Sequence, residues 1–346
     1  MNPVKKLLNT LYVTTQGTYL AKEGDTVNVR LENETRLKVP IHNLGSIVCF
    51  GQVSCSPYLI GFCGERNVTL AFFTEHGEFL ARVEGPVSGN VLLRRAQYRR
   101  ADQQQEAAEL ARTMVIGKII NCRTVLLRAL RDSPDCPGAG QVRTAAKKMA
   151  KILEKLQQPC FLDIVRGIEG EAARTYFAVF DHLILAQKED FYFRQRSKRP
   201  PLDNMNVLLS FLYTMLTHDV AAALQGVGLD PAVGFLHRDR PGRPGLALDL
   251  MEELRPVLAD RLALTLVNRR QVKGKGFERR ETGAVYMDEI TRKEVLTAYQ
   301  TRKRDEITHP FIEEKIPLGL LPHVQALLLA RHLRGDLDGY PPFRWK

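Results

Sequence analysis

The sequence predicts an α+β protein of two domains, a β-rich sandwich or roll over residues 1–90 and an all-helical domain over residues 91–346. Three observations carry this. At 346 residues the chain exceeds what one compact core organises well. Near residue 90 the hydrophobic period changes from alternation to spacings of three and four. Charge divides at the same place. Residues 1–90 hold eight Lys/Arg and eight Asp/Glu, residues 91–346 hold 42 and 31, so the net +11 lies in the second part. A neutral part joined to a basic one points to a polyanion partner for the latter.

In the first part "TLYVTT", "TVNVRL", "RLKVPI", "SIVCFG" and "VTLAFFT" are short runs rich in Val, Ile, Thr and aromatics. Turn signals "KEGD", "ENET" and "EHGE" separate them, the pattern of short strands joined by tight turns. "EGPVSGN" (84–90) reads as the boundary. From Val91 one long helical pattern runs through "LLRRAQYRRADQQQEAAELARTMVIGKIINCRTVLLRALR" until "DSPDCPGAGQ" breaks it. "VRTAAKKMAKILEKLQQ", "FLDIVRGIEGEAARTYFAVF" and "NVLLSFLYTMLTHDVAAALQGVGLDP" predict three more helices, and a fifth begins near Leu246. Six to eight helices are expected in all.

Composition excludes several classes. Apolar residues make up 44%, and no stretch approaches the roughly 18 uninterrupted apolar residues of a membrane span. The start, "MNPVKKLLNTLYVTTQG", lacks the apolar core of a signal peptide, so a cytoplasmic protein with no membrane partner is expected. Six scattered cysteines form no CxxC pair, which predicts free thiols rather than a zinc site or disulfide framework. Walker, GxGxxG, HExxH and GxSxG signatures are all missing.

Three segments hold candidate chemistry. In "RGIEGEAARTYF", Glu169 stands between Gly167 and Gly170, and reads first as a first-turn carboxylate offsetting the helix dipole. In "PLDNMNVLLSFLYTML", Asp203 and Asn206 lie one turn apart, and Asp203 reads as an N-cap. In "GFLHRDRPGRPGLALDLMEELRP", His237 precedes a Pro/Gly/Arg loop leading to a helix with Asp249 and Glu252 on one face. Carboxylates on a helix packed through Leu250, Leu254, Val257 and Leu258 need partners, because an unpaired buried charge is prohibitive. Arg255, Arg238, Arg240 or a bound cation are the available ones. An imidazole beside carboxylates suits a divalent cation, although a lone His by such a loop is more often a surface or capping residue.

The order of "RGIEGEAARTY", "RPPLDNMNVLLSFLYTML", "GLDPAVGFLHRDRPGRPGLALDLMEELRPVLADRLALTLVNRR" and "GFERRETGAVYMDEITRKEVLTAYQTRK" closely resembles the CRISPR-associated integrase family, the universal larger subunit of the spacer-acquisition machinery. The likeness is strongest to the type I-C version and runs from the β-rich start to about Lys303. The resemblance implies a β-rich dimerisation domain and a helical catalytic, DNA-binding domain. It implies a metal-dependent DNA endonuclease and integrase that inserts short foreign DNA fragments into a CRISPR array in antiviral defence. It further implies Mg²⁺ or Mn²⁺ held by Glu169, His237 and Glu252, with Asp249 either a ligand or an orienter and Asn206 a supporting residue. Arg166, Arg174, Arg238, Arg240, Arg243 and Arg255 are the implied DNA contacts. The expected partners are DNA with free 3′ ends, the CRISPR repeat, a second copy of the chain, and a small second CRISPR-associated protein bridging two dimers. "FYFRQRSKRP" (191–200), with aromatics beside four basic residues, also suits nucleic acid. The alternative is a basic DNA-binding scaffold whose acids are only structural.

Overall fold

The β-branched runs of the first part do become strands. The computed structural model describes residues 9–66, 68–75, 77, 79–83 and 91–345, and the chain divides into two units, Met1–Gly89 and Asn90–Lys346. The boundary segment 84–90, residues 76 and 78 of the "EHGE" turn and residues 1–8 of the N-terminal segment lie outside the described residues. The first unit holds β1 (Asn9–Val13), β2 (Tyr19–Glu23), β3 (Thr26–Leu31), β4 (Glu34–Pro40), β5 (Leu44–Phe50), β6 (Ser54–Cys55), helix α1 (Pro57–Glu65), β7 (Thr69–Phe73) and β8 (Phe79–Val83). One sheet has the order β1-β5-β7-β8 and the other β4-β3-β2-β6. Leu20, Val27, Ile47, Leu59, Phe62 and Leu70 share one buried core.

Tight turns alone would give antiparallel neighbours, but β1–β5, β5–β7 and β2–β6 are parallel. Parallel pairing needs a crossover. The chain makes one between β5 and β7 through β6 and α1, neither of which the strand pattern had marked. Helix α1 is capped by Ser56, whose Oγ accepts from Leu59 N at 3.1 Å, with Pro57 in the first turn.

The second unit contains α2 (Val91–Asp102), α3 (Gln104–Asp132), α4 (Ala139–Glu154), α5 (Leu162–Phe177), α6 (Asn204–Gly226), α7 (Gly245–Arg255), α8 (Arg261–Asn268), α9 (Glu289–Arg304) and α10 (Leu321–Arg334). The expected single long helix is two, because Gln103 is extended (φ −87°, ψ 106°) within a polar tract offering no large apolar side chain to pack across the break. Among the described residues the α-helices of this unit number nine, one above the expected range. Nor is it all-helical. β9 (Phe277–Arg279) pairs with β10 (Val285–Met287), and β11 (Glu306–Thr308) with β12 (Lys315–Pro317). Three-residue strands are too short for alternation to register.

Helix α6 is long and apolar enough to cross a bilayer, yet two-thirds of its most apolar stretch is buried, as in a core helix. Asp203 caps it as expected, its Oδ1 accepting from Asn206 N at 2.7 Å. Pro256 ends α7, since its missing N–H cannot bond the Glu252 carbonyl, and a π-helical turn, Pro256–Asp260, leads into α8.

Candidate active site

Helices α3, α5 and α7, together with the loop before α7, bring the predicted residues together in two linked clusters. The first is built on Asp249. This aspartate is fully buried on α7, where a bare carboxylate would be prohibitive. Its Oδ2 accepts from the backbone amides of Phe235 (2.5 Å) and Leu236 (2.8 Å), and its Oδ1 from His237 N (3.0 Å). The same Oδ1 lies 2.6 Å from His237 Nδ1. A carboxylate only accepts, so Nδ1 carries the hydrogen of this contact and Nε2 is left outside it.

The loop can lie this close because of Gly234. A β-carbon there would stand 2.6 Å from Asp249 Oδ2 and 2.7 Å from the Gly245 carbonyl carbon. Arg166 of α5 fastens the loop from its other side, its Nε donating to Leu236 O at 2.7 Å.

The second cluster is built on a residue the sequence reading missed. Lys118 of α3 is 1% exposed, and its ammonium bonds Glu169 Oε1 and stands 2.6 Å from Glu252 Oε2. Glu169 is in the middle of α5 rather than in its first turn, so the dipole-offset reading of it falls. Arg255 Nη1 is 3.3 Å from the same Glu252 oxygen. Oε2 is therefore met by two cations at once, Lys118 within hydrogen-bonding distance and Arg255 farther off. Burial pushes the Glu252 carboxyl up, but Arg255, Lys118 and then His237 outweigh it and hold the group at about 2. The only sequence signal for Lys118 was a charge within "MVIGKIIN", otherwise an apolar helix face.

Glu253, one residue on, has the opposite fate. Burial pushes it up to about 8, although Tyr340, Gln325 and the Phe343 amide all donate to it. Adjacent glutamates on one helix thus face different chemistry, one toward α3 and α5, the other toward the C-terminal tail.

Three of the implied roles change. Arg255 does not face a nucleic acid. It is 7% exposed, lies over the rings of Tyr213 (5.1 Å) and Phe177 (5.7 Å), and serves Glu252. Asn206 supports no candidate ligand. It is fully buried and bonds Arg196, Ser197 N, Gln195 O and Asp203, pinning the 195–197 segment to α6. In "FYFRQRSKRP", Phe191 and Phe193 are core residues packed on Phe277 and Phe177, because a loop without regular structure is anchored by its largest apolar side chains. Arg174, Arg238 and Arg240 are exposed and Arg243 is half-buried, while the Arg166 guanidinium is committed to Leu236 O and Asp163.

Among the described residues no three His, Cys, Asp or Glu side chains form a ready metal cage. What the fold does assemble is two carboxylates meeting at one buried positive charge, beside an imidazole whose Nδ1 is fixed. Two carboxylates held around a cation, with an imidazole nearby, are the oxygen-rich donor set that fits a hard divalent cation such as Mg²⁺ or Mn²⁺.

Comparison with known proteins now bears on the site. Residues 11–301 match the family described as CRISPR associated protein Cas1. The chain is 54% identical over 343 residues to CRISPR-associated endonuclease Cas1 1 of Chlorobaculum tepidum, covering 99% of this chain and 100% of that one. Among solved structures it resembles a casposase bound to integration product (TM-score 0.82, 19% identity, 98% of this chain and 95% of the other). It also resembles a Cas6-RT-Cas1–Cas2 complex (TM-score 0.82, 22% identity, all of this chain and 37% of the other). At those identities the two structures establish the fold alone.

Proposed function

The chain belongs to the Cas1 family of CRISPR-associated proteins, and from that premise we propose that Glu169, Glu252 and His237 are the metal ligands of its active site. The protein is a nuclease and integrase of CRISPR spacer acquisition. The observation that carries the ligand assignment is the convergence of two carboxylates from α5 and α7 beside an imidazole oriented by buried Asp249.

Asp249 belongs behind His237, not among the ligands. Its oxygens are engaged by three amides and Nδ1, so it fixes the tautomer and aims Nε2. Mg²⁺ or Mn²⁺, when bound, supplies the positive charge that polarises a scissile phosphodiester. The chain's own residues do the rest. Glu169 and Glu252 offer oxygens from two rigid helices, and Gly234 lets the 235–237 amides hold the loop in place. Exposed Arg238, Arg240 and Arg174 and half-buried Arg243 grip DNA phosphates bidentately, positioning the 3′-hydroxyl of an incoming fragment for transesterification. Water in its place gives hydrolysis.

DNA and Cas2 are the partners. Membership of the Cas1 family and the excess of positive charge in the helical unit support this reading. In this reading two copies pair through the neutral β-rich unit, and Cas2 bridges two such pairs.

One observation favours a second reading, in which the acids are structural: Lys118 and Arg255 already neutralise them. Activity separates the two. Glu169→Ala and His237→Ala should each abolish joining of a duplex with free 3′-hydroxyls to a repeat-bearing plasmid in Mn²⁺, with circular dichroism unchanged. Near-normal joining by either variant at saturating Mn²⁺ would remove the ligand assignment.

A further inference from the structure

A lysine among apolar neighbours, 1% exposed, is a costly residue that the proposed chemistry does not use. Its position is specific. Helix α3 passes against α7 at Gly117, where a β-carbon would meet Glu253 Cβ at 3.1 Å and Pro342 Cβ at 3.0 Å. That approach carries the next residue, Lys118, into the gap between α5 and α7, and its four-carbon stem delivers the ammonium to the point where Glu169 and Glu252 converge.

We infer that Lys118 is an internal counter-ion that competes with the divalent cation for Glu169 and Glu252. Without metal, it holds the two carboxylates together, so the site stays assembled when empty. With metal, its ammonium must withdraw, because both cations seek the same carboxylate oxygens. Lys118 Nζ is already 2.6 Å from Glu252 Oε2, and a metal–carboxylate bond is about 2.0–2.2 Å. Two cations that close on one oxygen repel across a water-poor gap. Charge arithmetic agrees. Lys118 and Arg255 already balance Glu169 and Glu252, so a divalent ion added with Lys118 in place leaves a surplus of two positive charges.

Arg255 cannot be the ion that leaves. Its guanidinium is seated on the Tyr213 and Phe177 rings, sits on the same helix as Glu252, and has no ion pair with Glu169 among the described residues. Lys118 comes from a different helix, contacts both acids, and has a stem flexible enough to move the charge while the backbone stays put. The lysine therefore lowers metal affinity while stabilising the metal-free protein.

This inference rests on the ligand assignment above, and the test separates the two. Mn²⁺ is titrated calorimetrically into wild type, Lys118→Met, Lys118→Arg and Glu252→Gln, and the melting temperature of each metal-free protein is recorded. Lys118→Met should bind Mn²⁺ about tenfold or more tighter than wild type, the scale on which groups around a metal tune its affinity. It should also melt lower than wild type without metal and gain more on adding Mn²⁺. Lys118→Arg, with an obligatory charge on a less adaptable head, should bind Mn²⁺ no better than wild type. It controls for a Met variant that fails to fold. If Lys118→Met binds Mn²⁺ equally or more weakly while Glu252→Gln abolishes binding, the competition is wrong and the ligands stand. If Lys118→Arg binds more tightly, the competition is likewise wrong. Should wild type itself bind no Mn²⁺, the ligand assignment falls and this inference with it.

Discussion

Asp249 and Glu252 are three residues apart on one helix and share a face, yet they do different work. Asp249 is spent on the 235–237 loop, while Glu252 turns its carboxylate to the charge of Lys118 and to Arg255. This difference predicts a ranking. Glu252→Gln should lose Mn²⁺ binding and strand joining together, because a neutral amide is a poor ligand for a hard cation. Asp249→Asn should weaken Mn²⁺ about 10–100-fold, as groups that orient a ligand do. Calorimetric titration decides it, and the reverse order would exchange their roles. The i, i+3 spacing was legible in the sequence. Which carboxylate faced the loop was not, because that depends on where residues twelve positions upstream fold back.

At the scale of elements, α7 is held from two sides. In front stand α5 and the His237 loop. Behind, Asn121 of α3 is fully buried, and its Nδ2 donates to Glu253 O (2.7 Å) and Phe343 O (2.9 Å) while its Oδ1 accepts from Trp345 N (2.7 Å). Trp345 itself meets the guanidinium groups of Arg128 (3.8 Å) and Arg261 (4.7 Å) over its ring. The C-terminal tail lies beyond residues 11–301 that match the family, yet it locks the back of the helix carrying Glu252. Asn121→Ala should therefore cost on the order of 3 kcal/mol, because one cut strands three backbone groups, two of them in buried contacts. Scanning calorimetry should show the loss in the unfolding of the helical unit. An unchanged melting profile would mean the tail contributes nothing to α7.

For the whole molecule, charge is the property that sorts the two units. The excess of 11 positive charges lies after residue 90, so DNA affinity should reside in the helical unit and fall steeply with salt. Each phosphate neutralised on duplex DNA adds about −0.9 to the slope of log affinity against log salt. Filter binding between 50 and 200 mM salt (~3 phosphate contacts giving a slope near −2.7) measures it. Tight, salt-insensitive binding would contradict the charge argument.

The sequence by itself determined the change from strands to helices near residue 90, the Asp203 cap, the charge asymmetry, and the family through Glu169, His237 and the Asp249/Glu252 helix. These signals are local in the chain: a period, a cap, a count, a spacing. Tertiary structure decided the rest. It made three strand pairs parallel, turned Arg255 inward over two aromatic rings, and tied Asn206 to a loop rather than to the site. It also placed Lys118 between acids 51 and 134 residues away along the chain. A buried lysine in an apolar run says only that some partner must exist, because the charge cannot stay bare. Which carboxylates answer it is set by helix packing, and packing is not written in any one stretch of the chain.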